Sequence, residues 1–171
     1  RSGQAAQRLF SRTGAIGEGT VVEDGWIVDQ MRDSTVELVP LEAIHLLGPH
    51  LVIDVMAAAT VGRLIGASPT AMTDAVRSFR GLEHAMELVG EIGGVRFVND
   101  SKATNVESAR RSIESFDAGV VPIIGGRYKG GDFGLLREPL IARAKAVVAI
   151  GEARALVKDA LQGAVNVHEA S

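Results

Sequence analysis

The chain has no cysteine. That excludes disulfide bonds and thiol catalysis and is consistent with a reducing compartment. Aromatic residues are scarce, at 4%, so aliphatic side chains must fill any core. Long hydrophobic runs are missing too. The longest apolar run near a helix-like stretch is residues 55–61, far short of the roughly 20 residues that span a bilayer. No signal-peptide pattern is visible. Neither charge dominates: the formal net charge of −3 points away from nucleic acid and from acidic membrane surfaces as partners. There is no internal repeat and no low-complexity segment. Hydrophobic content is 46% over 171 residues, ample for one domain or two small ones. The chain begins at Arg1 without a methionine and ends at Ser171, just after a strand-like run at 164–167. It is read as a piece of a longer protein, with trimming of a disordered start as the alternative.

Local patterns divide the chain into two styles. Residues 14–39 alternate Gly and Asp turns with short β-rich runs at 20–22, 26–28 and 36–39. Asp24-Gly25 between two of them predicts a hairpin, and Pro40 ends the run. Residues 51–66 carry apolar groups at helical spacing, with Gly66 as stop. Ser68 caps a second helix with Pro69 at its first position, ending near Gly81. Beyond Gly81 the pattern changes. Runs at 86–91 and 95–98 flank Gly93-Gly94 as a hairpin. Helices are predicted at 105–116, 135–143 and 152–162. Strands are predicted at 120–124, 146–150 and 164–167, the first two buried on both faces. This alternation predicts an α/β fold with a small, doubly wound, mainly parallel sheet and helices on both sides. A domain boundary is placed near Gly81.

The most informative stretch is Asn99-Asp100-Ser101-Lys102-Ala103-Thr104-Asn105, in which six of seven side chains carry hydrogen-bonding groups. It lies between a strand-like run and a helix start, where open α/β folds bind ligands. Simple helix capping accounts for Asn105 and for Glu107 in the first turn, but not for Asp100, Lys102 and Thr104 together. A second loop, Gly125-Gly126-Arg127-Tyr128-Lys129-Gly130-Gly131, sets four glycines around two cations. It suits an anion, with Lys129 as a point charge for a carboxylate or phosphate. It is not a Walker A loop, and on turn statistics it is equally an ordinary flexible turn. Gly151-Glu152 follows a third strand, and all three loops are expected at one edge of one sheet. His45, His50 and His84 show no metal or triad spacing. Glu83, Glu87 and Glu91 read as a solvated edge. Arg110, Arg111 and Glu114 read as a solvated helix face.

The 99–105 sequence resembles the Mur ligase family, and within it the branch that adds D-glutamate to UDP-N-acetylmuramoyl-L-alanine. Ser78-Phe79-Arg80-Gly81-Leu82-Glu83-His84, Gly94-Val95-Arg96-Phe97-Val98 and the glycine-rich loop through Asp132-Phe133 are similar to the same family in the same order. The resemblance covers roughly residues 40–155. It implies that residues 1–81 are the C-terminal part of an α/β ATP-binding domain. Residues 82–171 would be most of a Rossmann-like, amino-acid-binding C-terminal domain. It implies an ATP- and Mg2+-dependent amide ligase of peptidoglycan synthesis in the bacterial cytoplasm. In that chemistry the alanyl carboxylate becomes an acyl phosphate, which the D-glutamate amine attacks. By resemblance Thr104 and Lys129 hold D-glutamate, Lys102 adds positive charge, and Asp100 lies on the nucleotide side with Asp54 and His84. The resemblance gives these residues no metal ligand and no catalytic group. The P-loop, the magnesium ligands and the uridine-binding domain are expected upstream of Arg1, so the fragment alone is expected to be inactive.

The match departs in places. The family's two asparagines after the histidine matching His50 are Leu51 and Asp54 here. Asp54 accepts hydrogen bonds but donates none when ionised. Ala85 stands where the family places arginine after the histidine matching His84, and Arg80 or Arg127 would have to supply that charge. These departures keep open a non-catalytic Rossmann-like nucleotide-binding or interaction module. A Mur-type ligase for another amino acid is the third reading.

Overall fold

The computed structural model describes residues 7–13 and 16–171. The chain divides into two compact units, Arg1–Gly81 and Leu82–Ser171.

The first unit is built on a four-stranded sheet with order β1-β2-β3-β4. β1 (Leu9–Ser11) runs parallel to β2 (Gly19–Glu23), and β3 (Trp26–Met31) and β4 (Ser34–Pro40) continue antiparallel. β1 carries no alternating apolar pattern of its own, and the sequence reading missed it. The Asp24-Gly25 hairpin is present. Both residues have positive φ, +46° and +81°, the turn whose twist matches its flanking strands. Helix α1 (Leu51–Leu64) is followed by Gly66 at φ +83°, where a side chain would strain the reversal. Helix α2 (Pro69–Ser78) starts as expected: the Ala71 N–H donates to Ser68 Oγ at 3.2 Å. Ile27, Leu38, Val39 and Met56 are fully buried and form the centre of this unit's core with Val55, Ala59 and Met72.

The second unit opens with a hairpin, β5 (Glu87–Ile92) and β6 (Val95–Asn99), turned by Gly93 and Gly94 at φ +58° and +77°. Helix α3 (Val106–Glu114) follows. β7 (Ile123–Gly125), β8 (Val147–Ile150) and β9 (Val167–Glu169) make a parallel sheet in that order. Between them lie a 3-10 turn at Phe133–Leu136 and helices α4 (Arg137–Arg143) and α5 (Arg154–Leu161). Leu136, Leu140, Val147, Ala149, Val157 and Leu161 have no exposure and form a second core.

Three expectations are corrected. The strand predicted at 120–124 shrinks to Ile123–Gly125, and Ile123 is 69% exposed, not buried on both faces. Pro122 has no N–H for a ladder, so Val120 makes only an isolated bridge to Ala144. The last strand is displaced to Val167–Glu169. The parallel sheet is not doubly wound among the described residues: β6 pairs only with β5, in a separate two-stranded sheet.

Candidate ligand site

The 99–105 loop is held by bonds among its own groups and by one to the His84 carbonyl. The Ser101 N–H donates to Asn99 Oδ1 at 3.1 Å, and the Lys102 N–H to the His84 carbonyl at 3.0 Å. The Ala103 N–H donates to the Asp100 carbonyl at 2.9 Å, and the Thr104 N–H to the Lys102 carbonyl at 2.8 Å. Four successive amides are therefore satisfied internally. The loop is not a backbone nest for an anion, and what it offers a ligand is side chains. Lys102 and Thr104 are exposed, and neither side chain has a hydrogen-bond or ion-pair partner among the described residues. Asn105 is extended and caps α3, accepting from the Ser108 N–H at 2.8 Å. The capping part of the sequence reading holds, and it leaves Lys102 and Thr104 unexplained.

Asp100 is half-buried and engaged on both carboxylate oxygens. Oδ1 accepts from the Met86 N–H at 3.0 Å, and Oδ2 accepts from the Ser112 hydroxyl on α3. His84 is not isolated, as its sequence context suggested. Its Nδ1 lies 2.8 Å from the Asn99 amide nitrogen, and its N–H donates to Glu87 Oε2 at 2.8 Å. Glu87 is accordingly half-buried, so the solvated-edge reading holds only for Glu83 and Glu91.

The glycine-rich loop leaves β7 beside β8, and its first glycines have structural work. A Cβ on Gly125 would lie 2.0 Å from the Ile150 carbonyl oxygen, and one on Gly151 would meet Gly126 at 2.9 Å. These positions exist so that two strand ends can touch, not to approach an anion. Farther along, the Tyr128 hydroxyl donates to the Gly131 carbonyl at 2.8 Å, and its ring lies 5.8 Å from that of Phe133. Asp132 Oδ1 accepts from the Gly134 N–H at 2.7 Å. The loop is thus folded on itself with Lys129 between its anchors. Lys129 and Arg127 are exposed, with no partner among the described residues.

The two loops meet through apolar packing. A Cβ on Gly131 would lie 2.9 Å from Val106 Cγ2, and Val106 is the first residue of α3, one place after Asn105. A side chain at 131 would push the second loop off the first. The glycine-rich loop and Gly151 do share one sheet edge. The 99–105 loop reaches them through Val106 rather than through strand pairing. Asp54 lies exposed in the first turn of α1, in the other unit.

Close ion pairs lie along α3. Hydrogen bonds from Arg110 and then Arg111 hold the Glu107 carboxyl down at about 2. Glu107 and Glu114 raise Arg110 in turn. Among the described residues no three His, Asp or Glu side chains gather as metal ligands, and no helix is long and apolar enough to cross a membrane.

The fold of this chain is shared with solved structures of MurF and of folylpolyglutamate synthase. MurF from Acinetobacter baumannii superposes with a TM-score of 0.64 at 17% identity, over 88% of this chain and 35% of that one. Folylpolyglutamate synthase of Mycobacterium tuberculosis, complexed with ADP, gives 0.62 at 16% identity, over 89% and 36%. Along nearly its whole length the chain is homologous to members of the Mur ligase family. Within it, the sequence relatives are UDP-N-acetylmuramoylalanine–D-glutamate ligases. That of Acidobacterium capsulatum is 45% identical over 166 residues, covering 95% of this chain and 36% of the relative. That of Syntrophus aciditrophicus is 39% identical over 157 residues, covering 92% and 35%. The chain therefore spans about a third of the length of the curated relatives it matches. No protein-family model matches it.

Proposed function

We propose that this chain is the amino-acid-positioning part of an ATP-dependent ligase that joins D-glutamate to UDP-N-acetylmuramoyl-L-alanine in the bacterial cytoplasm. Residues 1–81 are the end of its ATP-binding domain and residues 82–171 most of its C-terminal domain. In the reaction, the γ-phosphoryl group of ATP passes to the alanyl carboxylate. The D-glutamate amine attacks that carbonyl, the amide forms, and phosphate leaves.

The observation that carries this reading is the pair of unneutralised lysines, Lys102 and Lys129, on two loops joined by the Val106–Gly131 contact. A dicarboxylate needs two cationic anchors, and Thr104 adds a hydroxyl beside one of them. Fixing the amino acid in place turns a bimolecular attack into a local one, worth up to roughly 7–11 kcal/mol of barrier. Relatives at 45% and 39% identity favour D-glutamate over another amino acid.

Toward a nucleotide's sugar or base, each unit offers a carboxylate of its own. Asp100 keeps lone pairs beyond the two it uses, and Asp54 is exposed; both can accept from hydroxyl or amine donors. Among the described residues no three His, Asp or Glu side chains gather to hold Mg2+, and this reading assigns the phosphates and Mg2+ to other parts of the ligase. The chain by itself should therefore release no phosphate from ATP.

Lys129→Ala in the full-length ligase tests the reading. The Michaelis constant for D-glutamate should rise, with a loss on the order of 1.5–3 kcal/mol, and that for ATP should move little. An unchanged D-glutamate constant beside a large ATP effect would reassign Lys129 to the nucleotide. Leu51, Asp54 and Ala85 favour a second reading, a Rossmann-like module that no longer catalyses. A P-loop in the same polypeptide would decide against it.

A further inference from the structure

We propose that Asp100 is a positioning residue that ties the 82–86 segment, the 99–102 loop and helix α3 into one rigid piece. The three parts converge on its carboxylate and on one backbone bond. Asp100 takes the Met86 N–H at 3.0 Å on one oxygen and the Ser112 hydroxyl on the other. The His84 carbonyl takes the Lys102 N–H at 3.0 Å, and the Asn99 amide meets the His84 ring at 2.8 Å. Between those contacts His84 and Met86 stand at φ +66° and +50°. L-residues avoid that region, and two of them so close together persist only where surrounding contacts over-determine the backbone. The Ala85 N–H closes a turn onto the Leu82 carbonyl at 3.2 Å. The chain is therefore fixed from His84 onward, and any pivot next to Gly81 ends before it.

The consequence concerns the ligand loop. Lys102 is held by a bond to His84, and His84 is held in its strained conformation by Met86 on Asp100. A carboxylate with no direct contact to the Lys102 amide thus sets where Lys102 sits. This coupling belongs to the folded unit and holds whatever ligand Lys102 and Thr104 take.

Amide hydrogen exchange on residues 1–171, followed by NMR, tests it. In the unaltered chain Met86 and Lys102 should be protected. Asp100→Ala should speed exchange at both by at least tenfold, although the Lys102 acceptor is untouched. Val157 in α5, bonded to the Ala153 carbonyl, should keep its rate. Asp100→Asn keeps an oxygen for Met86 and an amide for Ser112, and should restore protection to within about threefold. Faster exchange at Met86 with Lys102 unchanged would reduce Asp100 to a local contact and overturn the proposal. So would unprotected Met86 and Lys102 in the unaltered chain. If Asp100→Ala also deprotects Val157, the unit has unfolded and Ser112→Ala decides. It should raise both rates at least threefold with Val157 constant, and no change at Met86 and Lys102 would overturn the proposal.

Discussion

Asp29 shows what single residues contribute in this chain. It sits on β3 with 2% of its surface exposed, directly across from Thr20 on β2. An ionised carboxylate there needs compensation. Arg63 Nε donates to it at 3.1 Å and Arg8 at 3.5 Å. Removing one partner of a buried pair leaves uncompensated charge, at a cost of about 3–5 kcal/mol. Here both guanidiniums reach water, at 27% and 38% exposure, so removing Asp29 frees them to be solvated. Asp29→Ala should thus destabilise the first unit by less than that, about 1.5–3 kcal/mol for the lost charged hydrogen bonds, read from urea unfolding. A loss below about 0.5 kcal/mol, the size of an ordinary surface change, would show that the pairing contributes nothing net. No sequence signal marks Asp29. It lies in a strand beyond the expected 26–28 run, and its partners are 21 and 34 residues away. By contrast Thr104, Lys102 and Lys129 stand out as candidates in the sequence because they are adjacent to local turn and cap signals.

At the scale of elements, α3 carries the clearest expectations. Its cap is Asn105, and replacing a side-chain cap with alanine costs about 1 kcal/mol, within a range of roughly 0.5–2. Asn105→Ala should lower the stability of the second unit by that amount, measured by denaturant titration. Glu107 in its first turn faces Arg110 at 2.8 Å and Arg111 at 3.2 Å, and its folded-state pKa is about 2. In the unfolded chain it titrates near ~4.3. The folded value is depressed, so the pairs stabilise above the unfolded pKa, and that contribution is lost as pH falls from near ~4.3 through about 2. Glu107→Gln should therefore flatten the acid limb of the stability profile in that window and leave its shape above pH ~6 unchanged. A carboxyl titration that places Glu107 near ~4 at low salt would remove the basis for this. Caps and two-residue turns were legible because their chemistry is local: Ser68, Asn105, Asp24-Gly25 and Gly93-Gly94 each act within a few residues. Strand partners beyond these two hairpins were not. The 120–124 run has the composition of a buried strand, yet Pro122 interrupts its ladder and Ile123 faces water. β6 looks like a sheet strand, but nothing in its own residues says that β5 alone will pair with it.

At the scale of the whole molecule, the two units have separate cores. Ile27, Leu38, Val39 and Met56 belong to one, Leu136, Leu140, Val147 and Val157 to the other, and the two clusters share no residue. Cooperative unfolding follows a shared core, so two transitions are expected rather than one. Met56 and Leu140 are both fully buried. Truncating either should cost about 2–5 kcal/mol through lost burial and the cavity left behind. Met56→Ala should speed exchange of β3 amides without changing those of Val147–Ile150. Leu140→Ala should do the reverse. Val147–Ile150 is the proper benchmark because Val147 and Ala149 have no exposure, which the 120–124 run cannot match. Between the units, Gly81 stands at φ +92°, and residues 80–83 should exchange fast in both variants. If either substitution moved both sets of amides together, the chain would be one cooperative body. A pivot at Gly81 would then be lost with it, and its positive φ would mark only the reversal after α2.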